Sequence, residues 1–452
     1  MRKFLELTNL IVWGAPALVL ILGVGIYLTF RTGFVQFRLF PRAVRLFFRK
    51  LSSPEQEGKV SPIQALCTAL AATVGTGNLI GVAGAISLGG PGSIFWMWVC
   101  GLLGMAVKYA EATLAVRYRI TRRGEHLAGP MYEIREALSP KWHWLATAYS
   151  LFGVIAAFGV GNATQINGVI VSINQTIEKF GGKTTWLGNL LMGIVLAILV
   201  GTLFLGGAKR IGKCAEILVP FMSCGYLALC MGVLVVRISS VPDAFLAIFQ
   251  GAFSPQAVTG GVIGSAFSAL RVGVSRGVFT NEAGMGTASI AHGGADVNHP
   301  GEQGMMGIME VFLDTILMCT MTALVILTSG VKIPYGTDAG GVLTVAAFVQ
   351  VYGDWVTVFL SFALCCFALA TVLGWGLYGA RCAQYLFGDG AWKIFVLLQC
   401  AMVVLAAVMQ TGILWSLAET VNGLMAIPNL ILLAALSPEL QRLTHEYKKF
   451  YG

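Results

Sequence analysis

The chain reads as an all-α polytopic membrane protein, and three observations carry that expectation. Of its 452 residues 56% are hydrophobic and only 11% charged, whereas about a quarter of a soluble domain is charged. The apolar residues fall into eleven runs, each long enough to cross a bilayer. Basic residues gather on alternate connectors, as a membrane topology requires. The net charge of +9 therefore reports topology rather than nucleic-acid binding. The ten cysteines include no CxxC pair and lie mostly inside apolar runs, Cys365-Cys366 being adjacent, so they read as small packing residues.

The first run, Leu10–Phe30, lacks a small-residue cleavage site and reads as a retained span. Only Arg2 and Lys3 precede it, while Arg31, Arg38, Arg42, Arg45, Arg49, Lys50 and Lys59 follow, which puts the N-terminus outside and residues 31–61 in the cytoplasm. Ten further spans are expected at 62–88, 91–118, 142–178, 184–205, 212–236, 258–283, 304–330, 354–386, 391–409 and 413–437. Alternation places Arg117, Arg119, Arg122, Arg123, Arg135, Lys141, Lys209, Arg210 and Lys213 inside, with Arg381, Lys393, Arg442, Lys448 and Lys449. The outer connectors hold only Lys179, Lys183, Arg237 and Lys332. A plasma (inner) membrane location with a cytoplasmic C-terminus follows.

With the first span set aside, ten core spans divide into two sets of five. Five is odd, so the halves enter the membrane from opposite sides, as inverted repeats do. The expected organisation is an N-terminal span and basic connector (1–61), repeats over 62–237 and 238–437, and a cytoplasmic tail (438–452). The first core span contains Gly75-Thr76-Gly77-Asn78, a sequence that resists helix. Freed backbone groups are costly in hydrocarbon and are tolerated where they line a polar cavity. A second break is expected at the matched position in the sixth core span, Arg271-Val-Gly273-Val-Ser-Arg276-Gly277. Paired Gly-interrupted spans point to a transporter site.

Other motifs have plainer readings. Gly207–Lys213 fits GxxxxGK, but Cys214 follows where Ser or Thr is needed, so it reads as a basic cytoplasmic turn. Arg271 and Arg276 either meet a carboxylate substrate or pair with Glu282, Glu310 or Asp314, and residues 280–286 read as a cytoplasmic end. Lys108 and Glu111, one turn apart, are expected to snorkel or pair near the inner surface. His292, Asp296, His299 and Glu302 lack metal-ligand spacing and read as a solvated loop. In the third core span Asn162, Thr164, Gln165 and Asn167 either bond between helices or meet an amino acid, and Thr371 in the eighth offers one oxygen to its own helix or to a small cation. There is no Ser-His-Asp order, no catalytic carboxylate pair and no cofactor fingerprint.

Several blocks together resemble the alanine or glycine:cation symporter family of the amino acid–polyamine–organocation superfamily. They are GTGN at 75–78, GGPG at 89–92 with FWMW at 95–98, GNATQIN at 161–167, RGVFTNEAGMGTASIAH at 276–292, LGWGLYG at 373–379 and NGLMAIPN at 422–429. The resemblance implies two inverted five-helix repeats plus one N-terminal helix, and sodium-driven uptake of alanine or glycine without a cofactor. It implies that the Thr76 and Gly77 amides, beside Asn78, hold the substrate carboxylate. Asn162, Gln165 and Asn167 would lie near its amino end, Phe267 and Ser268 would close the pocket, and Trp375 would act as a gate. It assigns sodium to the Ala71 and Val74 carbonyls and the Thr371 hydroxyl. Val372 stands where the superfamily often has a second hydroxyl, and Glu419 where Asp is expected.

The expected mechanism is alternating access with a zwitterion and sodium bound together at mid-membrane. A proton-coupled symporter would want a titratable carboxylate beside the pocket, and the first break contains none. A membrane-embedded enzyme would need a reactive constellation, to which Arg271, Glu310 and Asp314 come closest. A channel would show flux without saturation.

Overall fold

Several helices begin on a side-chain cap. Ser61 accepts a hydrogen bond from the Gln64 N–H (3.0 Å) ahead of Pro62. Thr185 accepts one from Gly188 (3.1 Å), and His299 Nδ1 one from Gly301 (3.0 Å) beside Pro300. Each satisfies an N–H group that a first turn leaves open.

The computed structural model describes residues 15–52, 59–122, 124–409 and 412–451. Arg2, Lys3, Arg123, residues 10–14 of the first expected span and the Glu419 side chain lie outside the described set. Helix α1 (Ala15–Arg31) leads to the basic α2 (Phe40–Leu51). Helices α3 (Pro62–Thr73) and α4 (Val82–Gly89) form one span, joined by a π-helical turn at Gly77–Gly81 and bent by 52°. Helix α5 (Gly92–Tyr118) is followed by an antiparallel hairpin of β1 (Ile120–Arg122) and β2 (Glu125–Leu127), then α6 (Pro130–Ala137). Helices α7 (Trp144–Phe158) and α8 (Thr164–Lys179) continue through a π-helical turn at Gly159–Ala163. Two long helices, α9 (Trp186–Phe204) and α10 (Gly207–Val236), complete the first half.

The second half runs α11 (Val241–Phe253), α12 (Ala266–Asn281), α13 (Thr287–His292) and α14 (Pro300–Val311). A π-helical stretch, Phe312–Cys319, carries α14 into α15 (Thr320–Thr328). Then come α16 (Gly340–Tyr352), α17 (Val356–Phe387), α18 (Ala391–Val408), α19 (Gly412–Ala435) and α20 (Ser437–Tyr451). Helix α5 packs on α12 and α14, α7 on α17 and α19, α3 on α10 and α17, and α9 on α18. Helix α5 is 83% buried over its most apolar stretch and α9 only 22%. The bare face of α9 carries Leu187, Leu191, Val195 and Ile198, which suits a hydrocarbon solvent.

Among the described residues, seven helices are long and apolar enough to cross a membrane, nine if each of two bent pairs is one span. The sequence expectation of eleven exceeds this by α1, described over 17 residues, and by α12, which ends after 16.

The second break is not where the sequence reading placed it. Helix α12 runs uninterrupted through Arg271–Gly277, and the chain leaves helix at Glu282 (φ 54°), Gly284 (φ 93°) and Gly286 (φ 76°). Gly273 and Gly277 serve packing instead. A Cβ on Gly273 would strike the Ser93 carbonyl, and one on Gly277 would lie 3.1 Å from Cys100. These glycines let α12 lie close against α5.

Candidate functional site

The break between α3 and α4 is held open by a side chain. Asn78 Oδ1 accepts the Gly75 N–H (2.9 Å), the group that would otherwise bond to the Ala71 carbonyl four residues back. Asn78 Nδ2 in turn donates to Asp314 Oδ1 (2.8 Å) and to the Asp314 carbonyl (3.1 Å) in the π-helical stretch after α14. With Gly75 diverted, the Ala71 and Val74 carbonyls have no backbone donor, and the Thr76 and Gly77 N–H groups have no backbone acceptor. All four residues are buried. Buried backbone groups in proteins are almost always paired, so a break of this kind invites a ligand.

Three spans meet there. A Cβ on Gly75 would lie 2.6 Å from Thr371 Oγ1 on α17, so only glycine lets the two helices touch at the break. Thr371 Oγ1 donates to the Phe367 carbonyl (3.0 Å), which leaves its lone pairs available. Thr76 Oγ1 donates to Gln165 Oε1 (3.1 Å) on α8, whose amide donates to the Val160 carbonyl (3.2 Å). Trp375 packs where a side chain on Gly161 would otherwise stand. Its indole N–H donates to Glu282 Oε1 (2.7 Å), and Thr287 Oγ1 donates to Glu282 Oε2 (2.8 Å). A small cavity lies among Thr76, Gly77, Gln165, Phe279, Glu282 and Trp375, with Thr371 at its wall. It leaves about 20 Å³, room for about one water.

Wider cavities lie to either side. One of about 260 Å³ is lined by Lys59, Thr68, Lys209, Leu377 and Arg381. The other, about 130 Å³, is lined by Ile80, Ser172, Gly341 and Leu364. Along α3–α4 and along α17, their lining residues fall on opposite sides of the residues lining the small cavity. The first cavity opens among basic connectors tied together by Lys59–Asp296 (2.8 Å) and Arg381–Glu125 (3.1 Å) ion pairs.

Of the residues assigned to substrate or sodium from sequence, Thr76, Gly77, Gln165, Thr371 and Trp375 line the small cavity, with Gly75 of the first break beside them, and the other assigned residues do not. Ala71 and Val74 lie just behind it. Asn78 is occupied with the break itself. Asn162 Nδ2 donates to the Gln399 carbonyl (2.9 Å) and Asn167 Nδ2 to the Met409 carbonyl (3.3 Å), so both turn toward other parts of the bundle. Phe267 is 63% exposed, and the Ser268 N–H is bound by the Ser265 cap (3.2 Å). Both sit in the first turn of α12, roughly 20 Å along the helix from the break. The sequence reading missed Phe279, and offered Glu282 only as a partner for Arg271 or Arg276 rather than as a residue of the site. The available signal was the density of glycine around a polar centre in Glu282-Ala-Gly284-Met-Gly286, which matches that at 75–78 better than 271–277 does.

Other pairings also differ from expectation. Arg276 reaches Asp338 (3.3 Å) in the connector before α16, Arg271 is exposed, and Glu310 and Asp314 are engaged elsewhere. Lys108 is fully buried and paired with Glu310 (2.8 Å), whose other oxygen meets His292 (2.9 Å). His292 is thus a core residue rather than part of a solvated loop, and Lys209 and Arg210 lie in the first turn of α10 rather than in a turn.

The chain matches the sodium:alanine symporter family model over residues 1–451. It is 44% identical over 445 residues to the sodium/alanine symporter AgcS of Methanococcus maripaludis, covering 96% of this chain and 95% of that one. It is 42% identical to an uncharacterized transporter of Haemophilus influenzae, covering 99% and 96%. The crystal structure of MhsT in complex with L-phenylalanine shares the fold, with a TM-score of 0.57 at 12% identity, over 87% of this chain and 99% of that one. Matches of this extent describe a multi-pass, sodium-coupled amino acid symporter and not an enzyme: the chain belongs to the sodium:alanine symporter family.

Proposed function

We propose that the protein carries alanine, and glycine as a second substrate, into the cell with sodium by alternating access around the break at 74–76. The observation that carries this reading is the set of buried backbone groups left open there, N–H at Thr76 and Gly77 and C=O at Ala71 and Val74. The two N–H groups meet the substrate carboxylate at the positive end of a half-helix. The Ala71 and Val74 carbonyls with Thr371 Oγ1 meet sodium, and the contact between Gly75 and Thr371 supports that pairing. Gln165 Oε1 and Glu282 face the substrate ammonium. Phe279 and Trp375 bound the side-chain space, and the small cavity favours a methyl group or a hydrogen over anything aromatic.

Eleven spans in two inverted repeats fit this reading. Packing of α5 on α14, of α7 on α17 and of α9 on α18 joins the second, third and fourth members of one half to their counterparts in the other. The basic end, with Lys59, Lys209 and Arg381, is the cytoplasmic one by the positive-inside rule. The N-terminus is then outside and the C-terminus inside. A zwitterion with one sodium moves one net charge, worth ~2.3 kcal/mol per 100 mV, or roughly 40-fold accumulation before any sodium gradient.

Counterflow of radiolabelled alanine and glycine in proteoliposomes, with sodium or choline, tests the reading. Saturable, sodium-dependent exchange of both is the expected result. The Glu282 carboxylate at the cavity favours a second reading, proton coupling. Uptake that ignores sodium and follows a pH gradient would replace the sodium reading with that one.

A further inference from the structure

Away from the small cavity, several buried polar atoms without partners gather behind the second break. Glu133 on α6 is fully buried, and its carboxylate oxygens make no close hydrogen bond, the Ser289 hydroxyl lying in reach but donating to the Glu111 carbonyl (3.2 Å). Glu111 on α5 is equally buried. Its Oε1 accepts the N–H groups of Gly284 (3.0 Å) and Gly286 (3.0 Å) and the Asn429 amide (2.8 Å), while its Oε2 has no partner. The Tyr149 hydroxyl on α7 and Asn429 Oδ1 on α19 are likewise buried and unpartnered. Glu111 and Glu133 lie within electrostatic reach of each other and of Tyr149.

We propose that Glu111 and Glu133 form a buried site for one monovalent cation, a proton or sodium, coupled to the break between α12 and α13. Two neighbouring carboxylates shielded from water do not both remain ionised without a cation. Among the described residues no cationic side chain forms an ion pair with either carboxylate. Lys108, the cation acting on Glu111, is bound to Glu310, and Glu310 also holds His292. Besides Lys108 and Glu310, the groups within electrostatic reach of the pair are neutral: Tyr118 on α5, Tyr149 on α7 and Tyr378 on α17, with Ser289 from α13, whose hydroxyl donates to the Glu111 carbonyl (3.2 Å). The open atoms are all oxygens, a set that suits a proton or a hard alkali ion. Among the described residues no cluster of three or more His, Cys, Asp or Glu offers a transition-metal site.

The site is tied to the second break through Glu111. The carboxylate within electrostatic reach of Glu133 also holds the two glycine N–H groups of the break, so a cation on the pair draws charge away from those bonds. Occupancy therefore biases the angle between α12 and α13, and with it the position of Glu282 in the small cavity. This site is separate from the one assigned to sodium at Ala71, Val74 and Thr371.

The test uses the purified full-length protein and Glu133→Gln, with Glu133→Asp as the charge-preserving control. Equilibrium binding of radioactive sodium and infrared difference spectra are recorded from acidic to alkaline pH, in sodium and in choline. If the occupant is a proton, the native protein shows a protonated-carboxyl band that sodium does not remove. That band is lost in Glu133→Gln and kept in Glu133→Asp, and bound sodium is unchanged. If the occupant is sodium, the native protein binds one more sodium than Glu133→Gln, and any carboxyl band in choline vanishes on adding sodium. Native protein with no protonated-carboxyl band in either salt, and with a single bound sodium, overturns the proposal. That outcome is read on the native protein alone, so it holds even where Glu133→Gln does not fold. Because neither measurement needs transported substrate, the result is independent of whether alanine proves to be the cargo.

Discussion

The two breaks lose helix in opposite ways. At 74–76 the chain opens with no charged side chain of its own, and Asn78 takes the one N–H that would close it again. The neighbouring backbone groups are left for something else. At 282–286 the chain turns through three residues with positive φ, and the N–H groups of Gly284 and Gly286 are bound from outside by Glu111. That break presents a side chain, Glu282, held by Trp375 and Thr287. An interrupted helix in a membrane must satisfy its backbone either with a ligand or with protein. The first break leaves its backbone groups open and the second has its own held by Glu111, which is why the proposed function puts ion and carboxylate at the first and treats the second as a positioned wall.

That contrast can be broken most severely at Gly75. Gly75→Ala places a methyl group 2.6 Å from Thr371 Oγ1 between two packed helices. An overpacking cost of about 1–3 kcal/mol at the site corresponds to a loss of up to about 100-fold in uptake. Proteoliposome uptake checks it, with size-exclusion chromatography showing that the variant still folds. Wild-type transport by this variant would sink the account of the first break.

Asn78→Leu comes next. It frees the Gly75 N–H to return to the Ala71 carbonyl, so the sodium concentration for half-maximal uptake should rise by about tenfold, the worth of one modest hydrogen bond. An unchanged sodium requirement would mean that the Ala71 carbonyl takes no part.

Thr371→Val and Gln165→Ala sharpen the division of labour. The first should raise the sodium requirement about fivefold to tenfold with little change in the ratio of alanine to glycine uptake, each lost contact being worth about 1 kcal/mol. The second should do the reverse. Competition assays at two sodium concentrations separate them, and identical behaviour would void the role assignments. The smallest effect is expected at Phe267. With 63% of it exposed at the far end of α12, Phe267→Ala should leave uptake within about twofold of wild type.

Much of this was legible in the chain itself. Apolar length marked the spans, and the structure places eight helices or helix pairs within four residues of their expected bounds, from 62–89 to Gly412–Ala435. The first break was legible because Gly75-Thr76-Gly77-Asn78 combines helix-averse backbone with an amide that can hold it open. The second was misplaced because glycine in a membrane helix has two uses, release of the backbone and close packing, and the residues alone do not say which. Gly273 and Gly277 pack, while Gly284 and Gly286 turn.

Side-chain direction was the other gap. Asn162, Gln165 and Asn167 share one short stretch, yet only Gln165 faces the small cavity, because the π-helical turn at Gly159–Ala163 and the rotation of α8 set which position points inward. Likewise Lys108 and Glu111 read as a pair near the inner surface, and Glu310 and Asp314 as partners for Arg271 or Arg276, whereas Lys108 pairs with Glu310 across two spans. Sequence alone determined that this is a polytopic membrane protein with a helix interrupted at Gly75, because hydropathy and glycine content act locally. Only the tertiary structure decided that Glu282 reaches the small cavity and that Glu111 holds the second break, because a buried charge is settled by its partners, and those lie on helices as much as 318 residues away along the chain.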